Sequence, residues 1–337
     1  MRIYSLFLTL FFLLSNHAFS NYSIVIHGGA GTITKARITA EKDKEIRTAL
    51  AEAIAIGEKM LQAGKPAIEV VEQVIIYMEN SPLFNAGRGA VYNHEGVQEM
   101  DACIMDGRDL STGAVAGVHH LKNPIVGARI VKDSTRHVLL SGDRAEKFCL
   151  DHGAEYADSA YFFVKSRWDY YRKVKQREEA EKAKNDQGAA YMDEGSEKYG
   201  TVGCVVLDQQ GNVAAATSTG GLTNKKYGRI GDSPIVGAGT YANNESCAIS
   251  CTGTGEFFIR GTIARDIAAL MEFKGLSLQK AGEASLKKLT QMKGDGGFIG
   301  VDKKGNVMML FNTEGMYRGY KKSGEKEAVI QLYGDEE

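Results

Sequence analysis

Apolar and polar positions along the chain assign most of its elements. Residues 21–26 form a short β-type run that stops at His27-Gly28-Gly29-Ala30-Gly31. Ile46, Leu50, Ala53, Ile54 and Leu61 then recur at three- and four-residue steps, the stripe of an amphipathic helix. Gly64-Lys65-Pro66 ends that helix, and residues 67–78 repeat the pattern with Val70, Val71, Val74 and Ile75. Glycine-rich strand and turn material follows over 84–117, with a further helix near 143–151.

The second half carries a recurring device. Residues 201–207 make a continuous apolar strand, Asp208-Gln209-Gln210-Gly211-Asn212 a turn, and 213–217 the returning strand. Near the end, 298–301 and 307–311 flank the matching turn Asp302-Lys303-Lys304-Gly305-Asn306. Between the two hairpins, 257–273 reads as one buried helix and 278–289 as a second. Cys247 and Cys251 lie in a run that reads as a strand. Strands and helices therefore come in blocks, which predicts antiparallel sheets covered by helices.

Composition narrows the function. Lys and Arg total 41 against 42 Asp and Glu in 337 residues, a balance that excludes the basic footprint of a nucleic-acid binder. Charge is uneven, however: 17 of the 34 residues from 165 to 198 are charged. This stretch reads as a charged linker over 165–200, with a solvated helix at 172–184 and a connector after it. It stops abruptly at Tyr199-Gly200-Thr201. At the other end, Arg2 precedes an apolar run from 6 to 14, broken only by Thr9, and Ala18-Phe19-Ser20 supplies small residues for a peptidase. Residues 1–20 read as a secretory leader rather than a span, which needs about 20 apolar residues; a retained anchor is the alternative. The rest, 21–337, is expected to be one exported domain, periplasmic or secreted, with no membrane contact after leader removal. Export permits disulfides, but the five cysteines are odd in number. Four strand residues set Cys247 and Cys251 about 13 Å apart, beyond disulfide reach, so buried thiols are expected.

Several familiar catalytic signatures are missing. There is no G-x-S-x-G elbow, H-E-x-x-H or P-loop, and the seven histidines show no metal-ligand spacing. His119 and His120 read as structural strand residues pointing opposite ways. His27 reads as a backbone-bonding residue rather than a base. What stands out is hydroxyl and glycine chemistry: Thr217-Ser218-Thr219-Gly220-Gly221, Gly228-Arg229-Ile230-Gly231-Asp232-Ser233 and Cys251-Thr252-Gly253-Thr254-Gly255-Glu256. An exported solute-binding protein for amino acids could use Arg229 and Asp232 in the same way.

In their order, these segments resemble the plant-type asparaginases, or isoaspartyl peptidases, of the N-terminal-nucleophile hydrolases. The likeness runs from IHGGAG at 26–31 through PLFNAGRGAV at 82–91, MDACIMDG at 100–107, YGTVGCVVLD at 199–208 and AATSTGG at 215–221. It continues through GRIGDSPIVGAGTYANN at 228–244 and SCTGTGE at 250–256 to FNTEGMYRG at 311–319. The resemblance implies a four-layer αββα sandwich and a precursor that cuts itself between Gly200 and Thr201 into 21–200 and 201–337. Thr201 would be the nucleophile, its freed α-amine, with a pKa near about 8, acting as the base that a histidine supplies elsewhere. Thr219 matches the threonine that bonds the nucleophile's hydroxyl. Arg229 and Asp232 match the pair holding the α-carboxylate and α-amine of an aspartyl group. Thr252 and the Gly253 N–H match the oxyanion hole. Gly255 matches a further substrate-contacting position, and Asn85 a supporting residue near the nucleophile.

The same resemblance implies a structural sodium ion on the backbone carbonyls of Met78, Glu79, Ser81, Phe84, Ala86 and Arg88, and no catalytic cofactor. It implies L-asparagine and β-aspartyl dipeptides as substrates, and a homodimer of cleaved units. Glycosylasparaginases, the neighbouring branch, typically carry Asp before the nucleophile, Asn in place of Gly220 and an acidic residue in place of Thr254. All three differences favour the isoaspartyl peptidase branch.

Overall fold

The computed structural model describes residues 21–182 and 200–336. Residues 1–20, on which the leader reading falls, and 183–199 lie outside them. In chain order the first half comprises β1 (Ser23–Gly31), α1 (Ala40–Gln62), α2 (Ala67–Asn80), β2 (Met100–Asp106), β3 (Thr112–Val118), α3 (Pro124–Ser134), β4 (Leu139–Ser141), α4 (Gly142–Asp151), α5 (Ser159–Phe162) and α6 (Lys165–Lys182). The second comprises β5 (Val202–Leu207), β6 (Val213–Thr219), β7 (Thr240–Ala242), β8 (Cys247–Gly253), α7 (Gly255–Gly261), α8 (Ile263–Lys274), α9 (Leu278–Gln291), β9 (Gly296–Asp302), β10 (Val307–Phe311), β11 (Gly315–Lys322) and β12 (Val329–Tyr333).

Among the described residues, one sheet has eight strands in the order β12-β11-β1-β5-β6-β2-β3-β4 and the other four, β10-β9-β8-β7. Alternation along the central strands explains the layering. Ile24, Ile26, Val202, Cys204 and Val206 point one way and pack with Leu50, Ile54, Val71 and Ile75 of α1 and α2. Val25, Val205 and Ala215 point the other way, against Ile299 and Val301 of the second sheet, whose outer face is covered by α8 and α9. The result is the expected αββα sandwich. One pairing departs from expectation: β3 and β4 run parallel, because α3 carries the chain back across the sheet between them.

Both hairpin turns have one construction. Asp208 Oδ1 accepts from the backbone N–H of Gln210 (2.9 Å) and Asn212 (2.8 Å), and Asp302 Oδ1 does the same for Lys304 (2.8 Å) and Asn306 (3.0 Å). Other elements differ from the sequence reading. The helix foreseen over 257–273 breaks at Thr262, which takes a left-handed φ of 46° between α7 and α8. The charged linker begins as a docked helix: α6 starts at Lys165 and buries Arg167, Tyr171 and Val174, a stripe at three- and four-residue steps. β1 continues through the glycines, with an irregular register between His27 and Gly29. His119 and His120 lie beyond β3, and their backbone N–H groups and the His120 ring all converge on Glu146. All five cysteines are buried and unpaired.

Candidate active site

The inward faces of β5, β6 and β8 end in Thr201, Thr219 and Thr252, so strand alternation alone delivers three hydroxyls to one end of the space between the sheets. Thr201 is 7 % exposed and its hydroxyl donates to Thr219 Oγ1 at 3.0 Å. The Thr201 backbone N–H donates to Thr252 Oγ1 at 3.2 Å, and the Ala30 N–H to the same atom at 3.3 Å. With two N–H donors on its oxygen, the Thr252 hydroxyl has its own proton left to donate, as an oxyanion binder requires. The Thr201 carbonyl accepts from His27 Nδ1 at 2.9 Å.

Gly200 lies against Gly29. A Cβ on Gly200 would stand 2.0 Å from Gly29 Cα, and Gly29 itself has φ 114°. Only glycine at both positions allows this approach. Thr201, Thr219, Arg229, Asp232 and Gly253 line one cleft with Gly200 at its edge. Gly253 has φ 154° and sits 2.3 Å, by its absent Cβ, from the Asp295 carbonyl. Gly255 keeps its place for a steric reason: a Cβ there would fall 2.8 Å from Asp232 Oδ1 and 2.9 Å from Arg229 Nη2.

Arg229 is held by a bidentate pair, Nε to Glu256 Oε1 and Nη2 to Oε2, each 2.9 Å. Burial raises the Glu256 carboxyl, but the Arg229 hydrogen bond and charge outweigh it and hold the group below its usual range. Asp232 is different. Burial pushes it up to about 7 despite Arg229, and its Oδ2 has no hydrogen-bond partner among the described residues. An unsatisfied buried carboxylate oxygen beside a guanidinium is the arrangement that would take the ammonium of an amino acid whose carboxylate goes to the arginine.

Asn85 reaches the site through the backbone. Its Nδ2 donates to the Gly221 carbonyl (2.8 Å), its carbonyl accepts from Gly220 N–H (3.1 Å), and Gly221 N–H donates to Thr219 Oγ1 (3.0 Å). Asn85 thus clamps the turn that aims Thr219. The 78–88 loop that carries it places the Glu79 and Phe84 carbonyls where Cβ atoms on Gly87 and Gly89 would stand 2.5 and 1.9 Å away. Glycines leave room beside those two carbonyls, and neutral carbonyl oxygens are the donor type a hard monovalent cation takes. Sequence reading missed the side-chain tie of this loop to the catalytic strand: Glu79 Oε1 accepts from Ser218 Oγ (2.6 Å), next to Thr219, and from Ile125 N–H (3.0 Å). A glutamate at the end of α2 and a serine on the helix-facing side of β6, both among apolar residues, were the available signal.

A threonine hydroxyl presented at a strand's start between two sheets, just after a glycine, is the arrangement expected of an N-terminal-nucleophile hydrolase. Comparison with known proteins agrees with this geometry. The family described as asparaginase matches residues 20–331. An isoaspartyl peptidase of Escherichia coli is 48 % identical over 90 % of this chain and 93 % of its own. That of Salmonella typhimurium is 50 % identical over 90 % and 96 %. A mouse protein named isoaspartyl peptidase/L-asparaginase is 39 % identical over 92 % and 90 %. The chain belongs to the asparaginase family of N-terminal-nucleophile hydrolases and is an enzyme.

Proposed function

We propose that this chain cuts itself between Gly200 and Thr201 and then hydrolyses β-aspartyl dipeptides and the side-chain amide of L-asparagine. The observation that carries the reading is Thr201: its hydroxyl lies 3.0 Å from Thr219 Oγ1 in a cleft shared with Arg229 and Asp232. Arg229 takes the α-carboxylate and Asp232 the α-ammonium, leaving the β-carbonyl to Thr201. The Thr201 hydroxyl oxygen adds to that carbonyl carbon while the freed α-amine of Thr201 accepts the hydroxyl proton. Negative charge on the carbonyl oxygen meets the Thr252 hydroxyl and the Gly253 N–H. The β-carbon–nitrogen bond breaks, and the proton passes from the Thr201 amine to the departing ammonia or amine. Water then adds to the aspartyl ester on Thr201, releasing aspartate and restoring the hydroxyl.

Two contacts weigh against glycosylasparaginase activity. An asparagine at 220 would need space that Asn85 Oδ1 occupies, 2.5 Å from the Cβ position. An acidic residue at 254 would face Asp295, which now accepts the Thr254 hydroxyl at 2.6 Å. A sodium ion on the 78–88 carbonyls would brace the Asn85 loop without entering the reaction. Residues 1–20 serve as an export leader in this reading, and two cleaved units pair into a dimer.

Thr201→Ala tests the core of the proposal. It should leave one uncut 21–337 chain with no turnover of asparagine or β-aspartyl-leucine, while wild type gives two fragments, the second starting at Thr201. Hydrolysis of a glycosylated asparagine by the wild type at a comparable rate would favour the neighbouring branch. A variant that still cuts itself and turns over substrate removes Thr201 from the mechanism.

A further inference from the structure

A row of side chains beneath the nucleophile has no part in the chemistry above. Strand register puts His27 of β1, Gly203 of β5 and Thr217 of β6 side by side. All three face the second sheet, where Thr240 of β7 is paired with Ser250 of β8. Five positions of the two facing sheets thus meet, and four of them are polar side chains with no exposure. Gly203 makes room for the meeting: a Cβ there would stand 2.2 Å from His27 Nε2 and 2.1 Å from Ser250 Oγ.

Hydrogen bonds run through the row in one direction. The Thr201 carbonyl can only accept, so His27 Nδ1 carries the proton that meets it at 2.9 Å. The bare Nε2 then accepts from Ser250 Oγ at 2.9 Å. Ser250's proton being used, Thr217 Oγ1 donates to Ser250 Oγ at 2.7 Å. Thr240 completes the chain with its one proton shared between two acceptors, Thr217 Oγ1 at 2.6 Å and the Ser233 carbonyl, next to Asp232, at 3.0 Å. Burial holds the His27 ring neutral, its pKa lowered to about 3, so the single-proton arrangement persists at any working pH.

The backbone alone leaves Thr201 poorly held on this side. The β1–β5 ladder ends at His27 opposite Gly203, two residues short of Thr201, because β1 turns away at its irregularity. Cutting the Gly200–Thr201 bond removes the covalent anchor as well, and a new chain terminus frays unless something ties it down.

We propose that His27 is a positioning residue for the cleaved enzyme: it replaces the missing ladder bond, fixes the Thr201 carbonyl, and links it through Ser250, Thr217 and Thr240 to the loop bearing Asp232. This rests on Thr201 being the nucleophile, and the experiment separates the two ideas. His27→Asn keeps a donor near the Nδ1 position; His27→Gln keeps a polar atom near Nε2 and loses that donor. Each variant is measured as kcat per free Thr201 N-terminus, so that slower self-cleavage does not enter, with KM for β-aspartyl-leucine alongside.

His27→Asn should stay within about 5-fold of wild-type kcat while His27→Gln falls by about 30-fold, the scale of one lost buried hydrogen bond, with KM within about 3-fold in both. Equal kcat in the two variants, whether both high or both low, overturns the proposal; so does a loss confined to KM. Should His27→Gln fail to fold, Ser250→Ala serves: it frees the ring tautomer and leaves Thr201's donor present. A severalfold lower kcat at unchanged KM supports the chain of bonds, and wild-type kcat refutes it. A wild-type preparation that is fully active without any free Thr201 N-terminus would refute the underlying reading itself.

Discussion

The three polar groups of Thr201 are held by three different parts of the chain. The N–H goes to Thr252 on β8, the hydroxyl to Thr219 on β6, and the carbonyl to His27 on β1. In the proposed function, substrate selection at the same scale rests on Arg229 and Asp232, and the two should respond differently to mutation. Arg229→Ala removes a charged bidentate partner, so KM for asparagine should rise about 100-fold while self-cleavage proceeds; initial rates and a denaturing gel check both. Unchanged kinetics would take Arg229 out of the site. Asp232 carries a stability cost because burial lifts its pKa from 3.8 to about 7. The native state keeps a proton that the unfolded chain has released, so stability from this group falls as pH rises between those values and stays lower above them. Asp232→Asn should therefore melt at least about 2 °C above wild type at pH 8 and close to it at pH 4, with KM strongly raised. A lower melting temperature at pH 8 would contradict the assignment.

Elements explain how the site is braced and how much of it the sequence disclosed. The end of α2 and the loop after it brace β6 twice, by Glu79 on Ser218 and by Asn85 on the turn beyond Thr219. If sodium braces that loop, exchanging it for choline should lower the melting temperature by a few degrees and kcat with it, because a ligand bound only to the native state stabilises it. Identical melting and rates in the two salts would remove the ion from the account. Periodicity revealed α1, α2 and α9 because each presents one apolar face to one layer, and both hairpins showed as apolar runs flanking the same D-x-x-G-N turn. It failed where tertiary contacts override the pattern. Thr262 breaks an apolar run that reads as one helix, and Arg167, Tyr171 and Val174 bury a face of a segment whose charge suggests full solvation. β1 runs through four small residues because Gly28 lies under the Phe84 ring and Gly29 under Gly200, contacts between distant segments. Thr201, Thr219, Arg229, Asp232 and Thr252 were visible through family motifs. The Ser250–Thr217–Thr240 chain was not, since no local pattern shows that two strands 30 residues apart face each other.

At the scale of the whole molecule, the proposed cut falls between pieces that cannot be separated without unfolding. Strands of 21–200 and 201–337 alternate across the large sheet: β1 lies between β11 and β5, and β2 between β6 and β3. Each piece therefore supplies backbone partners that the other lacks, and the inner face of β1 completes the core that β5 and β9 share. The small sheet and its helices belong wholly to the second piece, yet they rest on a face half built by the first. Cleavage should consequently leave the fold, its melting temperature and its hydrodynamic size nearly unchanged relative to uncut Thr201→Ala. The fragments should co-elute in native gel filtration and separate only in denaturant. Expressed alone, 201–337 should expose unpaired edges of β5, β6 and β11 and aggregate, whereas co-expression with 21–200 should restore a soluble, active complex. A soluble, folded 201–337 on its own would show that the interleaved strands are not what holds the enzyme together.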